Sequence, residues 1–493
     1  MAAPMRIHRA WLFTLGLLVS LALLAACAMP LGPGYHLRLE TVTARYQPGN
    51  SPPLRVLTQV EMVNVGNAPL EELTIRLPQR LQSGTEPAVS INGRQVIPVL
   101  KTKEGETRIN VPIDPPLAQR GTLPLRLEYE IALASPEFVL DPDAWFGTFA
   151  PPKHLFAKGE ARAQKTELEI FVPAGYRVLT TGRQRGVRSN LAGGTTEYRF
   201  EIRDHDFPPF LLAGKFDERK IRAQGRDVVF WTHKPLDAGC ARTIAARLAT
   251  TANLYRSRFG RLSKSAASIA VIEMSAENGV PAWRAEGFGS VPQGVLFSTG
   301  PSEFCKEPQR FYAGAEKALA ATWFGWAVAP EPDTRAFLLG GVPRYAMLLA
   351  EEGGSPAAAR ERLVKGWMAE YASLSSHAKP IAPVALKSDS PDAERKMAGI
   401  QSALFLIALE DSFGPVAIQH ALAHLVSSLR DSTAGLDDVR SALEEATGRN
   451  LFELFREWLE RPGIPAAFRQ RYLAAKREPG NEEQSTLISR RAR

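Results

Sequence analysis

Apolar residues recur at every second position through the first part of the chain. Leu73, Ile75 and Leu77 form one such set, and Leu125, Leu127, Tyr129, Ile131 and Leu133 another. Leu168, Ile170 and Val172 repeat the pattern, as do Tyr198, Phe200 and Ile202. A period of two puts each set on one face of a strand. Turn-rich segments such as Gln47 to Pro53 and Gly193-Gly194 separate the runs. The region from about Leu37 to Phe216 therefore reads as an antiparallel sandwich or saddle of short strands. Beyond Lys215-Phe216 the period lengthens. Ile244, Leu248, Thr251 and Tyr255 fall at helical spacing, Gly260 supplies a stop, and Ser268 to Met274 reads as a buried strand. After Phe311 the pattern is helical: Phe311 to Val328, Ala357 to Tyr371, Met397 to Phe413, Val416 to Leu429 and Leu436 to Thr447. Leu451, Phe452, Phe455, Trp458 and Leu459 form an amphipathic stripe closed by Pro462-Gly463. The predicted class is α+β: a β domain over 28–216, then a domain over 217–475 whose α/β part runs to about 310 and whose remainder is helical. Residues 476–493 are polar and charged and are expected to be disordered.

Composition narrows the function. The chain has 493 residues, 45% hydrophobic and 23% charged, which excludes collagen-like, rod-like and wholly disordered classes. The net charge of +8 is concentrated at the ends. Arg6 and Arg9 carry +2, and Lys476, Arg477, Arg490, Arg491 and Arg493 against Glu478, Glu482 and Glu483 carry another +2, which leaves +4 for everything between. So diffuse an excess is no footprint for a phosphate backbone, and nucleic acid is set aside as a partner.

Arg6, His8 and Arg9 precede an uncharged apolar run from Ala10 to Ala26 and then Cys27, the layout of a secretory signal. Leu24-Ala25-Ala26-Cys27 resembles the bacterial lipobox. That resemblance implies removal of residues 1–27 as far as Cys27, lipid on the Cys27 sulfur and amino terminus, and attachment to a membrane facing the periplasm. Ala28 in the next position favours the outer over the inner membrane. The alternative, a retained spanning helix, requires about 20 apolar residues and a charged stop. Cys240 and Cys305 remain, and their separation of 65 leaves a bridge and two buried thiols equally open.

Several strings resemble the membrane alanyl aminopeptidase family, gluzincins with a thermolysin-like zinc metallopeptidase domain. Phe207-Pro208-Pro209-Phe210-Leu211-Leu212-Ala213-Gly214-Lys215-Phe216 resembles the strand closing that family's first domain. Ala321-Thr322-Trp323-Phe324-Gly325 resembles the end of its HExxHxWFG helix. Leu443 to Gly448 and Trp458-Leu459-Glu460-Arg461-Pro462-Gly463-Ile464-Pro465 resemble its closing helices. The resemblance implies a β-saddle followed by a thermolysin-like domain, and a zinc aminopeptidase as the ancestral activity.

The residues such an activity needs are missing. Two histidines one helical turn apart, with a glutamate beside the first, put both imidazoles on one face where they share a metal. Registered on Trp323-Phe324-Gly325, that motif falls on Lys317-Ala318-Leu319-Ala320-Ala321. The third ligand, which follows the second after eighteen intervening residues, falls on Gly340 within Phe337-Leu338-Leu339-Gly340-Gly341-Val342-Pro343-Arg344-Tyr345. The substrate-amine glutamate falls on Val291, and the tyrosine that stabilises the tetrahedral intermediate falls on Gly399. The sequence reading is therefore no catalytic residue, no metal and no cofactor, with Lys317 placing an ammonium beside Glu316 or Glu351.

Other constellations carry less. His420 and His424 have i, i+4 spacing but no glutamate after His420, and read as a polar helix face. His205-Asp206 on a strand would point to opposite faces, and a Gly-x-Ser-x-Gly elbow is lacking. Because Ala318, Ala321, Gly340 and Gly399 are smaller than the groups they stand for, the site reads as emptied. A groove lined by Val291, Trp323, Phe324, Arg344 and Tyr345 is then expected to hold a peptide; the plainer reading makes Trp323 and Phe324 core. The functional expectation is a catalytically inactive, aminopeptidase-like lipoprotein that binds a peptide or envelope protein. The alternatives are an active zinc aminopeptidase with a non-standard site and a structural envelope adapter.

Overall fold

The structure is a computed structural model. It describes residues 34–46, 53–77, 81–103, 106–133, 138–141, 144–149, 153–156, 159–161, 163, 165–190, 193–203, 210–262, 268–273, 288–291, 294–297, 305–306, 308–351, 356–387, 390–430 and 432–474. The expected signal segment with Cys27, the tail from 476, and His205-Asp206 lie outside the described residues. The chain forms a mixed α+β protein, β-sheets first and helices after.

Two compact units divide it, and not at a single point. One comprises Met1–Ser135, Thr148–Ala174 and Arg183–Asp204; the other comprises Pro136–Gly147, Gly175–Gly182 and His205–Arg493. The strands Phe138–Asp141, Ala144–Thr148, Tyr176–Thr180 and Phe210–Lys215 form one four-stranded sheet. Their mutual pairing ties sequence from before residue 216 to the second unit, so the boundary is interleaved.

In the first unit an eight-stranded sheet is built around Tyr35–Tyr46, Pro53–Asn64 and Thr122–Ala132, and a five-stranded sheet around Leu70–Leu77 and Glu106–Leu117. The alternation does what its period demands. Leu125, Leu127, Tyr129 and Ile131 are buried while Arg126 and Glu128 face water. One pairing departs from the antiparallel expectation: Tyr35–Tyr46 runs parallel to Lys165–Pro173, with Glu40 opposite Thr166. Between the sheets, Tyr35 donates from its hydroxyl to the Leu155 carbonyl at 2.9 Å. Glu40 is buried, accepts from Thr166 Oγ1 at 2.7 Å and lies 3.8 Å from Nε2 of the buried His154.

In the second unit Arg226–Thr232, Ser268–Glu273 and Gly294–Phe297 pair in parallel, flanked by antiparallel Asp217–Ala223 and Phe288–Val291. The helices are α1 Ala238–Phe259, α2 Pro308–Ala320, α3 Val342–Glu351, α4 Pro356–Ser375, α5 Asp392–Phe413, α6 Pro415–Leu429, α7 Leu436–Thr447, α8 Phe452–Trp458 and α9 Ala466–Ala474. Helix α1 starts where the Asp237 carboxylate accepts from the Cys240 N–H at 2.8 Å, and it stops at Gly260. Ile244, Leu248, Thr251 and Tyr255 are its buried stripe. Helix α5 is buried almost all round from Met397 to Glu410, as befits the central helix of a core.

Cys240 and Cys305 are joined by a disulfide, with Cα atoms 5.9 Å apart. It ties the first turn of α1 to the segment leading into α2.

Candidate functional site

The helix expected to run from Phe311 to Val328 breaks. Helix α2 ends at Ala320, a wide turn covers Thr322–Ala327, and Phe324 and Gly325 leave helical geometry before a short strand, Val328–Pro330. The Trp326 N–H reaches back five residues to the Ala321 carbonyl at 3.2 Å. A Cβ on Gly325 would fall 2.5 Å from Leu339 Cδ2, the tip of an exposed side chain that would have to swing aside. Trp323 and Phe324 point inward. Trp323 donates from its indole to the Gly260 carbonyl at 3.0 Å and meets the edge of Tyr255, while Phe324 meets Phe259 edge-on at 5.0 Å. Their job is to clamp this turn onto the end of α1.

Four of the five residues expected along a groove are core instead. Relative exposures are 2% for Trp323, 0% for Phe324, 3% for Arg344 and 0% for Tyr345. The Tyr345 hydroxyl donates to the Glu410 carboxylate, which Arg360 also holds. Val291 ends an edge strand, its backbone paired with Gly294. The reason for the difference is packing: a string that reads as a cleft wall by analogy has its large side chains directed to the interior, as their apolar character favours.

Two of the four positions that read as emptied, Gly340 and Gly399, are in contact. A Cβ built on Gly340 would lie 2.6 Å from Gly399 Cα, and one on Gly399 would lie 3.1 Å from Gly340 Cα and 3.0 Å from Arg344 Nη1. Helix α5 and the segment Ala336–Gly341 thus pack backbone to backbone, and the missing side chains have left a close approach rather than a hole. Arg344 Nη1 also lies 3.4 Å from the Gly340 carbonyl oxygen.

Lys317 and Ala318 occupy the buried side of α2, and Ala321 follows its end half-buried. The two acids expected beside Lys317 are engaged elsewhere. Glu316, fully buried, accepts from Arg247 Nε at 2.5 Å and Thr251 Oγ1 at 3.1 Å. Glu351 pairs with Arg362. Burial raises the Glu316 carboxyl above the usual glutamate range, and the Arg247 guanidinium pulls it back in part.

Zinc is the ion that the family resemblance implies. At the three positions where that resemblance registers its ligands, Lys317, Ala321 and Gly340, stand an ammonium, a methyl group and a bare Cα, none of which donates a lone pair to a cation, so the donor set does not fit. Among the described residues no group of three or more His, Cys, Asp or Glu side chains comes together. His424 is exposed on α6, with Nε2 3.6 Å from Glu445 and 3.2 Å from Ser428 Oγ, and His420 is exposed beside it.

Sequence reading missed Gln401. It is fully buried on α5 and its amide is saturated. Nε2 donates to the carbonyls of Trp458 at 2.6 Å and Arg461 at 2.7 Å, and Oε1 accepts from the Gly463 N–H at 2.9 Å. The polar pair Gln401-Ser402 inside the otherwise apolar run from Met397 to Leu409 was the available signal.

The architecture is that of the two-domain M1 zinc metallopeptidases. The M1 zinc metallopeptidase from Deinococcus radiodurans superposes with a TM-score of 0.62 at 18% identity, covering 88% of this chain and 96% of that one. A point mutant of that enzyme bound to a Tyr-Ser-Ala substrate gives 0.60 with the same identity and coverage. A point mutant of a two-domain M1 zinc metallopeptidase bound to L-tryptophan gives 0.59. At this identity the likeness is one of fold. No protein-family model matches the chain, and no curated protein sequence matches it.

Proposed function

We propose that this chain is a catalytically inactive, M1-like lipoprotein that holds a peptide or protein partner in the bacterial envelope. The observation that carries the loss of catalysis is the contact of Gly340 with Gly399. Main chain meets main chain at the two positions where the resemblance would put a ligand carboxylate and an oxyanion-stabilising phenol. The Leu24-Ala25-Ala26-Cys27 string supports a lipid anchor on Cys27 and a periplasm-facing position, the outer membrane favoured. Among the described residues no helix is long and apolar enough to cross a membrane.

Metal content and turnover of aminoacyl fluorogenic amides, measured on the full chain with and without added zinc, test the first half. The expected result is no stoichiometric zinc and no chelator-sensitive turnover; one zinc per chain with turnover abolished by chelator would sink it. Palmitate labelling in cells tests the second half, with labelling lost in Cys27→Ala as the expected result.

A further inference from the structure

A cleft of about 850 Å³ opens between α4 and the turn joining α8 to α9, well apart in sequence from the aligned peptidase positions. We propose that it binds an acidic peptide segment carrying apolar side chains. The floor is apolar: Met368 and Tyr371 from α4 and Ile464 from the turn are nearly buried, and Pro462 and Pro465 complete the far wall. The rim is cationic. Lys365, Lys379, Arg461 and Arg469 line the cleft against a single carboxylate, Glu457. Lys365 is paired with Glu361, but among the described residues Lys379, Arg461 and Arg469 have no acidic partner, and all three are exposed.

Charge and shape select the occupant. An apolar floor takes up side chains, and unpaired guanidinium and ammonium groups around it favour carboxylates on the same ligand. The N-terminal end of α9 begins at this rim, with no acidic residue in its first turn to satisfy its partial positive charge. The volume suits a few extended residues and is far too small for a folded domain. The wall is preorganised. Gln401 fixes the turn through Trp458, Arg461 and Gly463, so little order has to be created on binding. The inference gives chemistry to the partner proposed above, yet it does not depend on the absence of catalysis: an active peptidase would leave this cleft's binding unchanged.

The test uses the full chain and a fluorescein-labelled peptide of alternating glutamate and leucine, read by fluorescence anisotropy. A lysine-for-glutamate counterpart and dodecanoate serve as rival probes. Saturable binding of the acidic peptide that weakens with salt is expected, with none for the basic counterpart. Ala369→Trp, which fills the cleft from an exposed position on α4, should weaken binding about tenfold or more, a loss of about 1.4 kcal/mol. Arg469→Glu and Lys379→Glu should each do the same, with unchanged melting temperatures. No binding of the acidic peptide, or undiminished binding by a normally melting Ala369→Trp, overturns the proposal. Dodecanoate displacing the peptide completely would assign the cleft to a fatty acyl chain, and self-association abolished by Ala369→Trp would assign it to a second copy; either also overturns it.

Discussion

Gly340 and Gly399 touch through their main chains: a Cβ on the first would sit 2.6 Å from the Cα of the second. Neither adopts a left-handed backbone, so conformation does not explain the glycines and contact does. Ordinarily a glycine in helical surroundings gains about 0.5–1 kcal/mol when changed to alanine. Here the sign reverses. Gly340→Ala is expected to destabilise by about 1–3 kcal/mol through overpacking, measured by chemical denaturation. Gly340→Glu, which puts a carboxylate where the resemblance registers the third ligand, should destabilise more and still bind no zinc, because Lys317 and Ala321 supply no donor. A stabilised Gly340→Ala would mean that the two segments are not in contact.

Gln401→Ala leaves the buried Trp458 carbonyl, and the part-buried Arg461 carbonyl and Gly463 N–H, without their partner. A loss of roughly 2–4 kcal/mol is expected, since each unsatisfied buried group is costly. Hydrogen exchange at the Gly463 amide should accelerate by more than the global stability change explains.

The disulfide brackets 65 residues of sequence. Replacing Cys240 and Cys305 by serine is expected to lower stability by about 2–4 kcal/mol, chiefly by freeing the unfolded chain. The oxidised protein should show neither of these cysteines reactive to a thiol reagent before reduction, and both after reduction and unfolding.

Asp237 gives a pH dependence whose sign is fixed. Its hydrogen bond from the Cys240 N–H holds the carboxyl below the usual aspartate range. A lowered acid contributes stability that is present above its unfolded value and is lost as pH falls through its folded value. Asp237→Ala should therefore melt lower than wild type at neutral pH, and the gap should close as pH drops below the ordinary aspartate range. Parallel melting curves across that window would count against the cap.

Much of this fold was legible where the signal is local. The alternation Leu125, Leu127, Tyr129, Ile131 and the stripe Ile244, Leu248, Thr251, Tyr255 name their own faces, because strand and helix periods act within a few residues. The parallel pairing of Glu40 with Thr166 leaves no such mark: its register is set by two segments more than a hundred residues apart. The same holds for the bridge from Cys240 to Cys305 and for the approach of Gly340 to Gly399. At Trp323-Phe324-Gly325 the sequence reads as continuing helix, whereas Phe324 and Gly325 leave helical geometry and the two aromatic rings pack onto the end of α1. Small residues in place of ligands look like vacancy on paper; in three dimensions neighbouring backbone moves into the room they leave.

The strand Tyr35–Tyr46 lies inside its sheet, between Pro53–Asn64 and Lys165–Pro173. Made before either neighbour, it acquires one of them almost at once through the following strand. Its other edge stays bare, a template for stray β-pairing, until the segment ending at Pro173 arrives. The order of synthesis thus makes completion of this sheet wait on sequence far downstream of its central strand.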